Sequence, residues 1–316
     1  MLFGYTSAAA QQPTKISRIG FLSPQSPIPQ SARILKEALR EFGWIEERNI
    51  QFESRYAGGD LGKLSEFAVE LNRLKVDVIV AGPDNGAAIA AKRASNTIPI
   101  VMVGVVEPVK LGLVASLARP GGNVTGVTFE VTREQAGKNL ELLKDCIPKL
   151  SRVAILRNPN DTTHSPYSRE AEKAAKMLGL TIRFADMPAH SDEELDKALR
   201  TVVKERANAF LLTPYAFFTD RRQRIIKFAV RHKLPGVYFA TVFVNDGGLM
   251  SYGPNSQRLW RRAAAQVDRI LKGANAAELP VEQPAAFELA INLKAAKQIG
   301  LTIPPNVLAR ADKVIR

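Results

Sequence analysis

Side chains capable of acid-base, nucleophilic or metal chemistry are few and scattered in this sequence. The three histidines, His164, His190 and His232, lie far apart and lack the HExxH spacing that puts two imidazoles on one helical face. Each is expected at a surface or capping position. Asp161 and His164 share a loop, but a lone Asp-x-x-His does not supply a nucleophile, a base and an orienting group. Cys146, the single cysteine, falls in a helical run over 134–147 and reads as a small buried apolar residue; neither a disulfide framework nor a multi-cysteine metal site is available. There is no GxSxG elbow, no GxxxxGK[ST] phosphate loop and no GxGxxG after the first strand. Catalytic residues, metal ligands and cofactors are therefore not expected, and the chain does not read as an enzyme.

The chemistry on offer is that of holding. Short polar, glycine- or proline-bearing stretches follow apolar runs and present Ser23 and Gln25, Asp84 and Asn85, Glu107, Asn158 and Asn160, Tyr215 and Phe217, and Ala240, Phe243 and Asp246. In open parallel sheets ligands lie beyond the carboxyl ends of the strands, where loops and helix N-termini offer N–H groups, so these twelve residues form the expected binding set. N–H groups near Asn85 and Asn160 suit an anionic end. Tyr215 and Phe217 suit a planar or apolar part, and Asp84, Glu107 or Asp246 an amine, with helix capping the competing role for Asp84. Tyr238 and Phe239 read as sheet-facing core.

The elements that must position these tips alternate regularly. Ile19 to Leu22 reads as a strand; Ile34, Leu35, Ala38, Leu39 and Phe42 then form one helical face that stops at Gly43. Leu64, Phe67, Ala68, Leu71 and Leu74 make another face, followed by a strand over 76–81. The same pattern returns with a strand over 153–156, a helix over 168–178 closed by Gly179, and a strand over 182–185; Ser191 with Glu194 opens a helix running toward Glu205. This alternation predicts an α/β protein of parallel sheets covered by helices on both faces. VDVIVAGP (76–83) aligns without gaps on ANAFLLTP (207–214), each followed by a helix, an apolar-Pro step and a further strand, which predicts two lobes of like topology.

A chain of 316 residues is long for one core, consistent with two lobes. No apolar run approaches the ~18 residues of a membrane span, so no membrane insertion is expected. The formal net charge of +13 raises the question of nucleic acid, yet the basic residues are spread over amphipathic helices (Arg33, Lys36 and Arg40; Arg221, Arg222 and Arg224; Arg258, Arg261 and Arg262) with no tail or aromatic-interleaved patch. They read as solvated helix faces, and nucleic acid is not an expected partner. Residues 1–15, MLFGYTSAAAQQPTK, carry Ala8, Ala9 and Ala10 like the small-residue cleavage site of an export signal, though without a basic start or a long apolar core.

PVKLGLVASLARPGGNVTGVT (108–128), GGLMSYGPN (247–255), the long block 261–305 and LARADKVI (308–315) resemble the substrate-binding proteins of a bacterial ABC uptake system, the group that includes tryptophan and tyrosine binders. The resemblance runs from Ile16 over nearly the whole chain. It implies export to the periplasm, a periplasmic binding protein type I fold of two Rossmann-like lobes joined by three crossovers, a small-molecule ligand closed between them, delivery to ABC permease transmembrane subunits, and a monomer. SLARPGGNVTG (116–126) would be the first crossover, GGLMSYGPN the second and LPVEQPAAFEL (279–289) the third. That gives a leader over 1–15, one lobe of 16–120 plus 252–280, and another of 126–248 plus 284–316. Glu107-Pro108-Val109 stands where the family has Asp-Pro-Val. GPDNGAA (82–88), TPYAFFT (213–219) and ATVFVND (240–246) depart more strongly, so the aromatic amino-acid preference does not transfer directly. The alternative is an effector-binding sensor or regulator domain of the same fold; the short stretch before the first strand leaves no room for a DNA-binding head.

Overall fold

The computed structural model describes residues 16–25, 30–129, 133–160, 164–284 and 287–316. The reading of residues 1–15 as a leader, and Asp161, lie outside them. The first sheet is built from β1 (Ser17–Ser23), β2 (Ile50–Tyr56), β3 (Val78–Ala81), β4 (Ile100–Val105) and β5 (Val124–Thr128), in the order β2-β1-β3-β4-β5 with every pairing parallel. Helices α1 (Gln30–Glu41), α2 (Leu61–Arg73) and α3 (Asn85–Ala94) make the connections.

The second half contains α4 (Arg133–Cys146), β6 (Arg152–Arg157), α5 (His164–Leu178), β7 (Thr181–Asp186), α6 (Asp192–Lys204), β8 (Ala209–Leu212), α7 (Ala216–Asp220), α8 (Arg222–Arg231), β9 (Gly236–Tyr238), α9 (Thr241–Asn245) and β10 (Met250–Pro254). Helix α10 (Ser256–Leu271) then packs back on the first sheet: Leu259, Trp260, Ala263 and Val267 share a core with Phe21, Val80 and Val101. The chain returns through β11 (Phe287–Asn292), α11 (Leu293–Gln298), α12 (Pro305–Leu308) and β12 (Lys313–Ile315). The seven strands of the second sheet run β12-β11-β10-β9-β8-β6-β7, parallel but for the β10/β11 pair.

The order β2-β1-β3-β4-β5 recurs as β7-β6-β8-β9-β10. The aligned segments VDVIVAGP and ANAFLLTP supply β3 and β8, the central strand of each repeat, and the apolar-Pro steps lead into β4 and β9. Buried on both faces, these strands read as nearly continuous apolar runs.

Two expected boundaries move. SLARPGGNVTG does not carry the chain between sheets: its end forms β5, which pairs with β4 from Ile100↔Val124 to Val105↔Thr128, so the first passage falls after Thr128. The Pro-Gly-Gly turn is a surface loop leading into an edge strand, with Asn123 Nδ2 donating to the carbonyls of Ser95 (3.0 Å) and Ile98 (2.8 Å). Likewise Met250–Pro254 belongs to the second sheet, and the second passage lies at Asn255. Along the third, Glu282 bridges to Val127 beside β5, and β11 opens at Phe287. Phe42, expected on the buried face of α1, lies just beyond that helix and is 41% exposed.

Candidate functional site

Residues that follow β1, β3 and β4 of the first sheet and β8, β9 and β10 of the second line one cleft of about 1170 Å3. Such a position, outside the carboxyl ends of parallel strands, is where backbone N–H groups and helix starts converge.

On the first wall, Gln25 and Asn85 are 5% and 8% exposed. Ser31 Oγ donates to Gln25 Oε1 (3.1 Å), and the amide N–H of Val106 donates to Asn85 Oδ1 (2.8 Å). Asp84 is the N-cap of α3: its Oδ1 accepts from Gly86 N (2.5 Å) and Ala87 N (3.2 Å). Gly82 lets this tip approach β4, since a Cβ there would fall 2.3 Å from the Val103 carbonyl oxygen.

The second wall carries Tyr215, Thr219, Asp220, Arg222, Ala240 and Thr241. Tyr215 is 4% exposed; its hydroxyl accepts from Asn158 Nδ2 (3.1 Å) and lies 2.8 and 2.5 Å from the two ring nitrogens of His190. Arg222 Nε donates to Asp246 Oδ2 (2.5 Å), and Arg221 pairs with Asp192 (2.9 Å) while stacking over Phe217 at 4.2 Å. Neither α7 nor α9 has a side-chain cap at its start. Phe129, Phe239 and Trp260 join Tyr215 in giving the cleft an aromatic lining.

Of the twelve expected binding residues, the structure brings Gln25, Asp84, Asn85, Tyr215 and Ala240 to the cleft. The others take different places. Ser23 is fully buried behind Gln25, whose backbone N–H it accepts (3.2 Å). Glu107, at φ 51, turns away from the cleft and pairs with Lys110 (3.2 Å). Asn158 supports Tyr215 from behind, and Asn160 donates to the Pro188 carbonyl (3.0 Å). Phe217 and Phe243 are core, Phe243 stacked on Tyr238 at 4.9 Å. Asp246 is engaged by Arg222. The reason is common to several: side chains alternate in direction along a tip, and a short helix following it buries its apolar face in the sheet.

Ser31, Phe129, Thr219, Asp220, Arg222, Thr241 and Trp260 escaped the sequence reading. The arginine run 221–224 reads as a solvated face, but its acidic partners Asp192, Asp196 and Asp246 come from α6 and the end of α9. Such pairing across elements leaves no local signal. Trp260 is likewise a helical core residue by pattern, brought to the cleft only because α10 crosses back to the first sheet.

Two repeated parallel sheets, three passages between them and a cleft at their facing strand ends define a protein of the periplasmic binding type I fold. Residues 28–315 match the family described as ABC transporter substrate binding protein, and the chain belongs to that family. It is 25% identical over 256 residues to a tyrosine-binding protein of Clostridioides difficile, covering 81% of this chain and 72% of that one. Among solved structures, a conserved domain protein from Vibrio cholerae superposes with a TM-score of 0.86 at 26% identity, over 95% of this chain and all 100% of that one. An ABC domain in complex with L-Trp from Streptococcus pneumonia superposes at 0.84 with 26% identity, over 95% and 99% of the two chains. Members of this family bind solutes for ABC transporters outside the cytoplasm and are not enzymes. Among the described residues no helix is long and apolar enough to cross a membrane.

Proposed function

We propose that this chain is an exported, periplasmic solute-binding protein of an ABC importer. It captures a small organic solute bearing a carboxylate, aromatic or amino-acid in character, between two halves that close on it, and hands it to the permease subunits. The cleft is the observation that carries this reading: it lies between the strand ends of both sheets, with aromatic rings and oriented polar groups on its walls. The tyrosine-binding relative and the L-Trp complex support an aromatic solute. Tyr215 and Phe239 offer ring faces, while Gln25, Asn85 and Ser31 offer polar contacts on the opposite wall. Closure about the three passages would exclude water from these contacts and create a surface joining both halves, which is what a permease can read.

The test is a thermal-shift screen of protein refolded free of ligand, against aromatic and aliphatic amino acids, aromatic carboxylates and short branched acids, with hits confirmed by calorimetry. A solute that binds only the folded state adds about 2.7 kcal/mol at a hundredfold excess over Kd. One-to-one binding of a carboxylate is the expected result; silence across the panel would overturn the assignment of solute class.

A further inference from the structure

We propose that the side-chain amides of Asn85 and Gln25 are the donors that read the solute's carboxylate; the inference rests on the solute-binding reading above and names its specificity-determining residues. On the first wall the usual source of anion affinity at such a tip, the free N–H groups of a helix start, is already used at α3. Asp84 Oδ1 accepts from Gly86 and Ala87, and its negative charge offsets the positive end of α3. Arginine does not take over on the second wall, because Arg222 is held by Asp246 and Arg221 by Asp192.

Besides the exposed Arg33, the first wall offers the two amides. Asn85 is 92% buried by its 8% exposure, and its orientation is fixed: a backbone N–H, that of Val106, can only donate, so the atom it meets at 2.8 Å is Oδ1. Nδ2, with two N–H bonds, is left at the cleft, and no partner for it occurs among the described residues. Gln25 has the same arrangement, with Oε1 taken by the Ser31 hydroxyl at 3.1 Å and Nε2 left over among the described residues, at 5% residue exposure. Amide groups with one end anchored and the other turned to a cleft are pre-organised donors. Desolvated, they discriminate strongly between a ligand that accepts and one that donates. Both belong to the tips of adjacent strands, since β1 pairs with β3, so they can converge on one group.

The experiment measures by calorimetry the affinity ratio of L-tryptophan to L-tryptophanamide, and of L-tyrosine to L-tyrosinamide, for the unaltered chain, Asn85→Asp and Gln25→Met. Asn85→Asp keeps the oxygen that accepts from Val106 but replaces the NH2 with a carboxylate oxygen. It is expected to lower affinity for the free acid on the order of a hundredfold while sparing or improving the amide, inverting the ratio. Gln25→Met removes a donor at nearly constant volume and is expected to weaken the acid roughly tenfold and the amide less. A ratio unchanged in both variants, or equal loss of acid and amide, overturns this inference and leaves the solute-binding reading standing. Failure of the unaltered chain to bind either acid overturns the inference together with the aromatic amino-acid solute it rests on.

Discussion

The Tyr215 hydroxyl, within hydrogen-bond reach of Asn158 and His190, ties the cleft wall to the core behind it. Tyr215→Phe keeps the ring and strips those bonds, so denaturant unfolding is expected to show a loss of about 1–3 kcal/mol with solute affinity changed by no more than about threefold. Tyr215→Ala removes the ring as well, at a cost of about 3–5 kcal/mol, and is expected to abolish detectable binding of an aromatic solute. Equal solute affinity for Tyr215→Ala and the unaltered chain would show that the ring makes no contact. Cys146 carries a different residue-scale prediction. Burial, reinforced by the neighbouring Asp145, pushes its thiol from the ordinary 9.0 to about 11. The folded state therefore favours the neutral thiol: that preference contributes fully below pH 9 and fades as pH rises through 11. At pH 8 the native protein is expected to resist alkylation by iodoacetamide and to react once unfolded; rapid native reaction would contradict the burial. The cysteine was legible as buried from its place in an apolar helical run. Phe217 was not, because a loop aromatic and a core aromatic look alike until the short α7 turns it inward.

At the scale of elements, α3 depends on the cap that Asp84 supplies. Asp84→Ala is expected to cost about 1 kcal/mol in denaturant unfolding, and Asp84→Asn considerably less because its Oδ1 still accepts from Gly86 and Ala87. Gly82→Ala tests the close approach of the same tip to β4. With a methyl group 2.3 Å from the Val103 carbonyl the backbone must shift, so the variant is expected to lose stability and to weaken solute binding together; unchanged thermal and binding behaviour would contradict the packing. Elements with clear periodicity and caps were readable from the residues: α6 opens at Ser191, whose Oγ accepts from Glu194 N at 3.1 Å, and α5 closes before Gly179 at φ 69. The half of the capping box that fails is Glu194, whose carboxylate pairs with Lys197 (2.7 Å). Strand β5 was not readable, because Val-Thr-Gly-Val-Thr is short and stands behind a Pro-Gly-Gly turn that has every mark of a break between bodies. Only its ladder with β4, closed on the far side by Glu282, makes it an edge strand of the first sheet.

For the whole molecule, the repeat and the passages set what can move. The passages are tied together at the edge of the first sheet, where Thr128 N donates to Glu282 O (2.9 Å), Glu282 N to Gly126 O (2.9 Å) and Thr125 Oγ1 to Leu279 O (2.7 Å), with buried Gln266 bonding around them. Such a clamp holds the first passage and the third side by side. Small-angle scattering is expected to report a smaller radius of gyration when a tightly bound solute saturates the protein; identical profiles would argue against closure. The two-sheet architecture was legible because a repeat of strand, helix, apolar-Pro and strand survives in the sequence. The walls of the cleft were less so, since half of them are built by residues such as Arg222 and Trp260 whose role depends on which elements come to face each other. The most direct test of the account is the crystal structure of the protein with the panel compound that gives the largest thermal shift. Density for that compound is expected between Asn85 and Tyr215, its carboxylate toward the amides of Asn85 and Gln25; density outside the cleft, or a carboxylate turned to the arginines of the second wall, would contradict this placement.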